Sequence, residues 1–520
     1  MGSDRNIDRQ KLIARNTMLL YCRMLLLLFV GLYTSRVVLG ALGIDDYGIY
    51  NAVGGVVSIF AVVSAALTSA ISRFLTFELG KPDSSARRLR LIFRNSMKIQ
   101  TMMAGVIILL AETVGLWYLN TRMNIPDGRL TAANWVLQFS LLTFAINLIS
   151  IPFNAAIIAH EKMKAFAYIG VFEGMAKLAV AFLLLVAPTD RLIFYAALMC
   201  AVALLVRMTY GIYCRKSFEE CRRTVENSDG TPSDNTETTG SLLRQMLSFA
   251  GWNFIGASSA VLRDHGGNLL INAFCGTAVN AARGVTIQLS STVQAFVSNF
   301  MTALNPQITK SYAAGDIEYT ERLVFKGARL SFFLLMILSF PLMMNMDFVL
   351  SVWLKEVPPH ASEFAILTLI FAMSESLSNP LITLQLATGD IKKYQITVGG
   401  LQLLNVPISW ALLARGTDPE CVLMVAIALS QICLFARLAL LRSMAGLDIR
   451  TYLKSVYVRV LMTAGLSIWI PILTQPHLPQ GWGGFVTSCA ICVALCCTWI
   501  WVYGLENDEK ALIEEKIHRR

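Results

Sequence analysis

The chain has 520 residues, of which 55% are hydrophobic and only 15% charged, with a mean hydropathy of +0.57 and a formal net charge of +10. Soluble proteins carry about 25% charged residues, so this composition excludes a soluble globular enzyme. The apolar residues come in runs of about 20, the length that crosses a bilayer core of roughly 30 Å as a helix.

In chain order the expected spans lie near 17–40, 48–72, 95–119, 134–158, 166–187 and 191–212, then 247–272, 278–304, 328–350, 362–388, 394–414, 418–441, 456–474 and 483–503. Helices are expected because lipid cannot satisfy an exposed backbone N–H or C=O. The short alternating segments of a transmembrane barrel are missing. The fold class expected is therefore an all-α integral membrane protein of 14 transmembrane helices.

Lysine and arginine set the orientation. With the N-terminus inside, the inner segments hold most of them, including Arg87, Arg88, Arg90, Arg94, Lys162, Lys164, Arg215, Lys216, Lys392, Lys393, Arg450 and Lys454. The outer loops hold only Arg122, Arg129, Arg191, Lys355 and Arg415. Both termini are thus expected in the cytoplasm. The +10 charge is accounted for by anionic headgroups, and no nucleic-acid partner is needed. The first apolar run is interrupted by Arg23 and reads as a retained helix rather than a cleaved leader.

One long polar stretch, 214–246, is rich in Ser, Thr, Asn, Gly and acidic residues and reads as a cytoplasmic linker. The domains expected are an N-lobe over 1–213 (spans 1–6), the linker, a C-lobe over 247–441 (spans 7–12), and 442–520 with two added spans and a tail. Spans 1–2 and 7–8 look alike: Gly43 and Gly276 stand the same interval apart as Ser58 and Ser291. Six spans per lobe preserve orientation, so the repeat is parallel. Repeats of that kind hold substrate between the halves, in a central cavity.

The stretch Ala278-Val279-Asn280-Ala281-Ala282-Arg283-Gly284, with Gln288, Asn299-Phe300 and Ala303-Leu304-Asn305-Pro306-Gln307-Ile308-Thr309-Lys310, resembles the Wzx-type polysaccharide flippases. The segment Arg36-Val37-Val38-Leu39-Gly40-Ala41-Leu42-Gly43-Ile44-Asp45-Asp46-Tyr47-Gly48 is similar to that family's first hairpin. These flippases belong to the multidrug/oligosaccharidyl-lipid/polysaccharide (MOP) superfamily, which also holds the lipid II flippases and the MATE exporters. The resemblance implies movement of undecaprenyl-pyrophosphate-linked oligosaccharide from the inner to the outer leaflet of a bacterial cytoplasmic membrane, by alternating access, for O-antigen or capsule assembly. It implies a monomer among membrane lipids, serving a polysaccharide polymerase, with no obligatory organic cofactor; coupling to protons or Na+ stays open.

Charges inside the spans are the candidates for function, since each costs roughly 3 kcal/mol or more in hydrocarbon. Arg23, Arg73, Arg207, Arg437 and Arg459 lie near cytoplasmic ends and are read as snorkelling to headgroups. Arg36, Arg263 and Arg283 are the expected pyrophosphate ligands, because guanidinium offers a planar fork of donors at any pH; Asn280, Gln288 and Asn299 are the expected sugar contacts. Gly266-Gly267 after Arg263-Asp264-His265 is expected to break the helix, and adjacent helical residues are not expected to pair. Candidates for ion coupling are Glu112, Asp264, Glu375 and the i,i+4 pair Glu173–Lys177. Bases outnumber acids inside the spans, a sign that suits an anionic substrate.

The competing reading is a MATE-like, ion-coupled small-molecule antiporter, for which span 1 offers Arg36 where an acid is wanted. A membrane glycosyltransferase or polymerase would want large outer loops, and Asp45-Asp46 is a lone acidic pair beside a turn. The cysteines, including Cys489, Cys492, Cys496 and Cys497 on one helix face, read as small apolar residues rather than metal ligands. There is no HExxH and no phosphate-binding loop motif.

Overall fold

The computed structural model describes residues 2–58, 60–121, 123, 125–126, 128–187, 190–222, 239–354, 357–477, 479, 481–507, 509–511 and 514. Its helices are α1 (Gly2–Ser58), α2 (Ala61–Gly80), α3 (Ala86–Leu110), α4 (Leu116–Thr121), α5 (Leu130–Ala159), α6 (Met163–Leu183) and α7 (Arg191–Ser217). They continue as α8 (Thr239–Ala313), α9 (Ile317–Met344), α10 (Met346–Trp353), α11 (Ala361–Thr388), α12 (Lys392–Leu403), α13 (Asn405–Leu413), α14 (Cys421–Ala445), α15 (Ile449–Tyr452), α16 (Arg459–Thr474) and α17 (Trp482–Trp499). No strand occurs among the described residues.

Twelve helical segments among the described residues are long and apolar enough to cross a membrane. Each overlaps one of the expected spans. The remaining two, 247–272 and 278–304, lie on α8, which is helical across both but is not among the twelve. Their polar content, Arg263-Asp264-His265 before Gly276 and a run of Ser, Thr, Gln and Asn after it, separates them from the rest.

Contacts divide the chain into two units, Met1–Phe254 and Ile255–Arg520. In the first, α1 packs along α6 and α5 along α7. Gly170 and Gly174 of α6 make the α1 approach possible: a Cβ there would lie 2.2 Å from Arg23 Nε and 2.2 Å from Leu27 Cδ2. In the second unit α11 packs between α9 and α14, and α17 lies on α9. The C-terminal end is pinned by charge, with Arg329 of α9 bonded to Glu509 at 3.0 Å and to Glu506 at 2.5 Å.

The sharpest backbone feature occurs twice. Gly43 in α1 (φ 79°, ψ 173°) and Gly276 in α8 (φ 84°, ψ 179°) interrupt otherwise helical runs in the same conformation. That region of backbone space is essentially closed to residues bearing a Cβ. Each kink is thus made at one glycine, Gly43 between expected spans 1 and 2 and Gly276 between expected spans 7 and 8.

The helix break expected at Gly266-Gly267 does not occur, for α8 is helical through both. These glycines serve packing instead. A Cβ on Gly266 would meet Val406 at 2.7 Å, and one on Gly267 would meet Val422 at 3.1 Å.

Candidate functional site

In the second unit, the part of α8 after Gly276 turns one face inward, with Ser291, Gln294, Ser298, Thr302 and Asn305 at helical spacing. Opposite, α11 presents Phe371, Glu375, Ser376, Asn379 and Thr383 at the same period. Together with Arg263 and Asp264 they line a cavity of about 710 Å³, within the usual range for small-molecule sites. Thr383 donates to Asn305 Oδ1 at 2.8 Å, tying the two walls together.

Arg263 is the cation of this cavity. Its side chain is 10% exposed and its guanidinium lies 4.9 Å from the centre of the Phe371 ring. Nε donates to Asp264 Oδ1 at 2.9 Å and Nη2 to Oδ2 at 3.3 Å. The expectation that neighbours on a helix do not pair is overturned here. The long arginine side chain folds back around the helix, while the short Asp264 stays 53% exposed. Glu375, half-buried, has an Oε1 with no hydrogen-bond partner among the described residues, and its charge acts on Arg263. The positive surplus inferred from the spans is therefore not located in this lining, where Arg263 is accompanied by two carboxylates.

Arg283 is half-buried and spends its donors on protein: Nε to Asn268 Oδ1 at 3.3 Å and Nη1 to Thr368 Oγ1 at 3.1 Å. It braces the kinked α8 against α11 and is not in the cavity lining. Asn299 bonds back to the carbonyl of Ala295 at 2.8 Å, and Gln288 is exposed; neither lines the cavity. The side chain of Asn280 lies outside the described residues.

The other candidates belong to the first unit. Arg36 is exposed on α1. Glu112 sits in a π-helical turn, Ala111–Gly115, that interrupts the α3–α4 run; such turns gather at functional sites. Glu173 and Lys177 form the expected pair, 2.6 Å apart, with both side chains about two-fifths exposed.

Two features escaped sequence reasoning. Arg437 is not a snorkel: it is 2% exposed, donating to Tyr394 Oη at 3.2 Å and Ser378 Oγ at 2.8 Å. Its place about two turns inside the end of α14 was the available signal. Nor does Asp46 of the Asp45-Asp46 pair stand alone beside its turn. Arg129 bridges it to Asp190, and Arg191 donates to the Ala41 carbonyl at 3.0 Å, so the Gly43 kink is clasped from two sides. Burial works against the ionised form of Asp190, but the backbone N–H groups of Ile193 and Leu192 and the Arg129 guanidinium outweigh it and hold the carboxyl below its ordinary range.

Solved structures share this architecture. A MATE protein in its bent conformation superposes with a TM-score of 0.70 at 12% identity, covering 84% of this chain and 96% of that one. The fold is that of the MATE transporters. MATE transporter ClbM, solved in complex with Rb+, gives 0.67 at 14% identity over 85% of this chain and 96% of its own. A MOP-superfamily transporter from Pyrococcus furiosus Vc1 (DSM3638), whose binding pocket is described as of reverse polarity, gives 0.65 at 11% over 84% and 96%. At these identities the likeness to MATE and MOP transporters speaks for the fold. No family model and no curated protein matches the chain.

Proposed function

We propose that this protein is an ion-coupled membrane transporter, not an enzyme, and that its cargo is an undecaprenyl-pyrophosphate-linked oligosaccharide moved from the cytoplasmic to the outer leaflet of the bacterial inner membrane. The observation that carries the reading is the amide- and hydroxyl-rich wall of the cavity: Gln294, Asn305, Asn379, Ser291, Ser298, Thr302 and Thr383. Such groups donate and accept in turn, as sugar hydroxyls require. The sequence motifs around Asn280 and Arg283 point the same way. Arg263 supplies the fork for a phosphate oxygen once the ligand displaces Asp264.

Coupling is assigned to Glu375 and Asp264. A buried carboxylate oxygen without a donor among the described residues, as at Glu375 Oε1, is a place for a proton or a Na+ ion to sit. Ion entry there would compete with the ligand for Arg263, which gives alternating access a direction. The protein would work as a monomer with its termini in the cytoplasm, handing its product to a polysaccharide polymerase.

A second reading, small-molecule efflux of the MATE kind, fits the solved neighbours at least as well as the flippase does, and Asp264 with Glu375 favours a cationic cargo. Deleting the gene and measuring lipid-linked intermediates on each membrane leaflet separates the two. Oligosaccharide-lipid accumulating on the inner face, with surface glycan lost, is the expected result. Normal lipid intermediates and glycan, with a new sensitivity to organic cations, would overturn the flippase in favour of efflux.

A further inference from the structure

Helix α15 runs through a π-helical stretch, Leu453–Val458, into α16, the first of the two added spans. Tyr452 and Tyr457 stand at its two ends. In an α-helix residues five apart point about 140° away from each other. The i→i+5 bonding of a π-helical turn brings them toward one side, here the side facing α11 and α14.

Both hydroxyls are used. Tyr452, fully buried, donates to the Leu377 carbonyl at 3.0 Å. Tyr457 donates to Gln431 Oε1 at 3.0 Å, and Gln431 Nε2 donates to Ser374 Oγ. Ser430 gives its proton to the Ile427 carbonyl at 2.8 Å, so the Ser374–Ser430 contact runs with Ser374 as donor. Each hydroxyl in this chain gives its proton once, and Gln431 accepts at Oε1 and donates from Nε2, which fixes the chain's direction and the orientation of the amide.

Ser374 and Leu377 belong to the same two turns of α11 that carry Glu375, Ser376 and Asn379 into the cavity. Pro380 follows and has no N–H to return to the carbonyl of Ser376, so the helix is least self-supporting there. Support comes from outside, through Tyr452 and the Tyr457–Gln431–Ser374 chain.

We propose that Tyr452 and Tyr457 are positioning residues for the cavity: their hydroxyls fix the rotation of α11 over 374–379 and so set the affinity for the polar part of the substrate. This gives the first added span a task in the transport site, and it rests on the reading of that cavity as the substrate site.

The test is Tyr452→Phe, Tyr457→Phe and the double variant, which lose hydroxyls and keep ring volume, in purified full-length protein. In the double variant, amide hydrogen exchange over 374–379 should quicken about tenfold. In proteoliposomes the KM for undecaprenyl-pyrophosphate-linked oligosaccharide should rise about tenfold at an unchanged maximal rate. Ser374→Ala should add nothing to Tyr457→Phe, since both break one chain, yet add fully to Tyr452→Phe. Unchanged exchange overturns the proposal, as does quickened exchange with an unmoved KM, which would make the tyrosines merely structural. Should Arg263→Ala also transport normally, the fault lies in the assignment of the cavity rather than in the tyrosines, whose exchange signature does not depend on transport.

Discussion

The guanidinium of Arg263 and the carboxylate of Asp264 are paired between consecutive residues of one helix, two donors on two oxygens. Arg263 is mostly buried and Asp264 half exposed, so an incoming ligand meets the carboxylate first. The pair therefore reports the sign of the cargo. Asp264→Asn removes the charge that an anionic ligand must displace. The apparent KM for a pyrophosphate-linked substrate should fall about fivefold, matching the roughly 1 kcal/mol of a solvent-accessible pair, while the maximal gradient-driven rate falls with the loss of a coupling carboxylate. For a cationic cargo the same change should raise KM. Transport kinetics of this variant in proteoliposomes decide between the two.

Gly43→Ala and Gly276→Ala should each cost about 1–3 kcal/mol, seen as a lower melting temperature in detergent. Among the described residues no atom beyond the local backbone and chain neighbours lies within 4 Å of a Cβ built at either position, so the penalty is one of backbone conformation. Gly40→Ala, also with open space but at helical φ, is the matched control and should be neutral or slightly stabilising.

How much of this could be read beforehand depends on the range of the interaction. Span lengths and the kink glycines are local signals, and 17–40 or 362–388 are found close to where apolar run length puts them. Gly266 and Gly267 show the limit: a glycine in sequence does not say whether it bends a helix or admits Val406 and Val422. Asp45-Asp46 reads as a lone acidic pair because the partner of Asp46, Arg129, lies 83 residues away. The lining of the cavity combines α8 and α11, and spacing along one helix identifies a face without saying which face it meets. Arg437 was misread because snorkelling was judged from position along a helix, while Tyr394 and Ser378 come from other helices.

The segment after α7 should loosen in acid. Glu220 is buried and its Oε1 lies 2.6 Å from His160 Nε2, with the His160 ring stacked on Phe218 at 4.2 Å. Burial opposes ionisation of Glu220, but the His160 hydrogen bond, a backbone N–H and the charge of Arg90 together hold its pKa below the ordinary value. A depressed carboxylate pKa contributes stability above the unfolded value and loses it as pH falls through the folded one. Exchange protection over 218–222, taken against the intrinsic rate at each pH, should therefore be high near neutral pH and fall below the usual glutamate range. Glu220→Gln should remove that pH dependence.

The C-terminal anchor makes a stability prediction. Glu509 is 5% and Arg329 2% exposed, so Glu509→Ala takes one of two carboxylates from a buried guanidinium, which keeps Glu506 and the Ser455 carbonyl. The expected loss is about 1.5–3 kcal/mol in thermal unfolding. Arg459→Ala, at the more exposed edge of the same cluster, should cost under about 1 kcal/mol.

The most direct measurement is translocation in proteoliposomes that hold purified protein and undecaprenyl-pyrophosphate-linked oligosaccharide, read by cleavage of glycan that reaches the outer leaflet under an imposed proton or Na+ gradient. Gradient-driven, protein-dependent cleavage that Arg263→Ala abolishes is the predicted result. No movement of the lipid-linked glycan, in vesicles where the same protein drives uptake of an organic cation, would contradict the account and establish small-molecule transport instead.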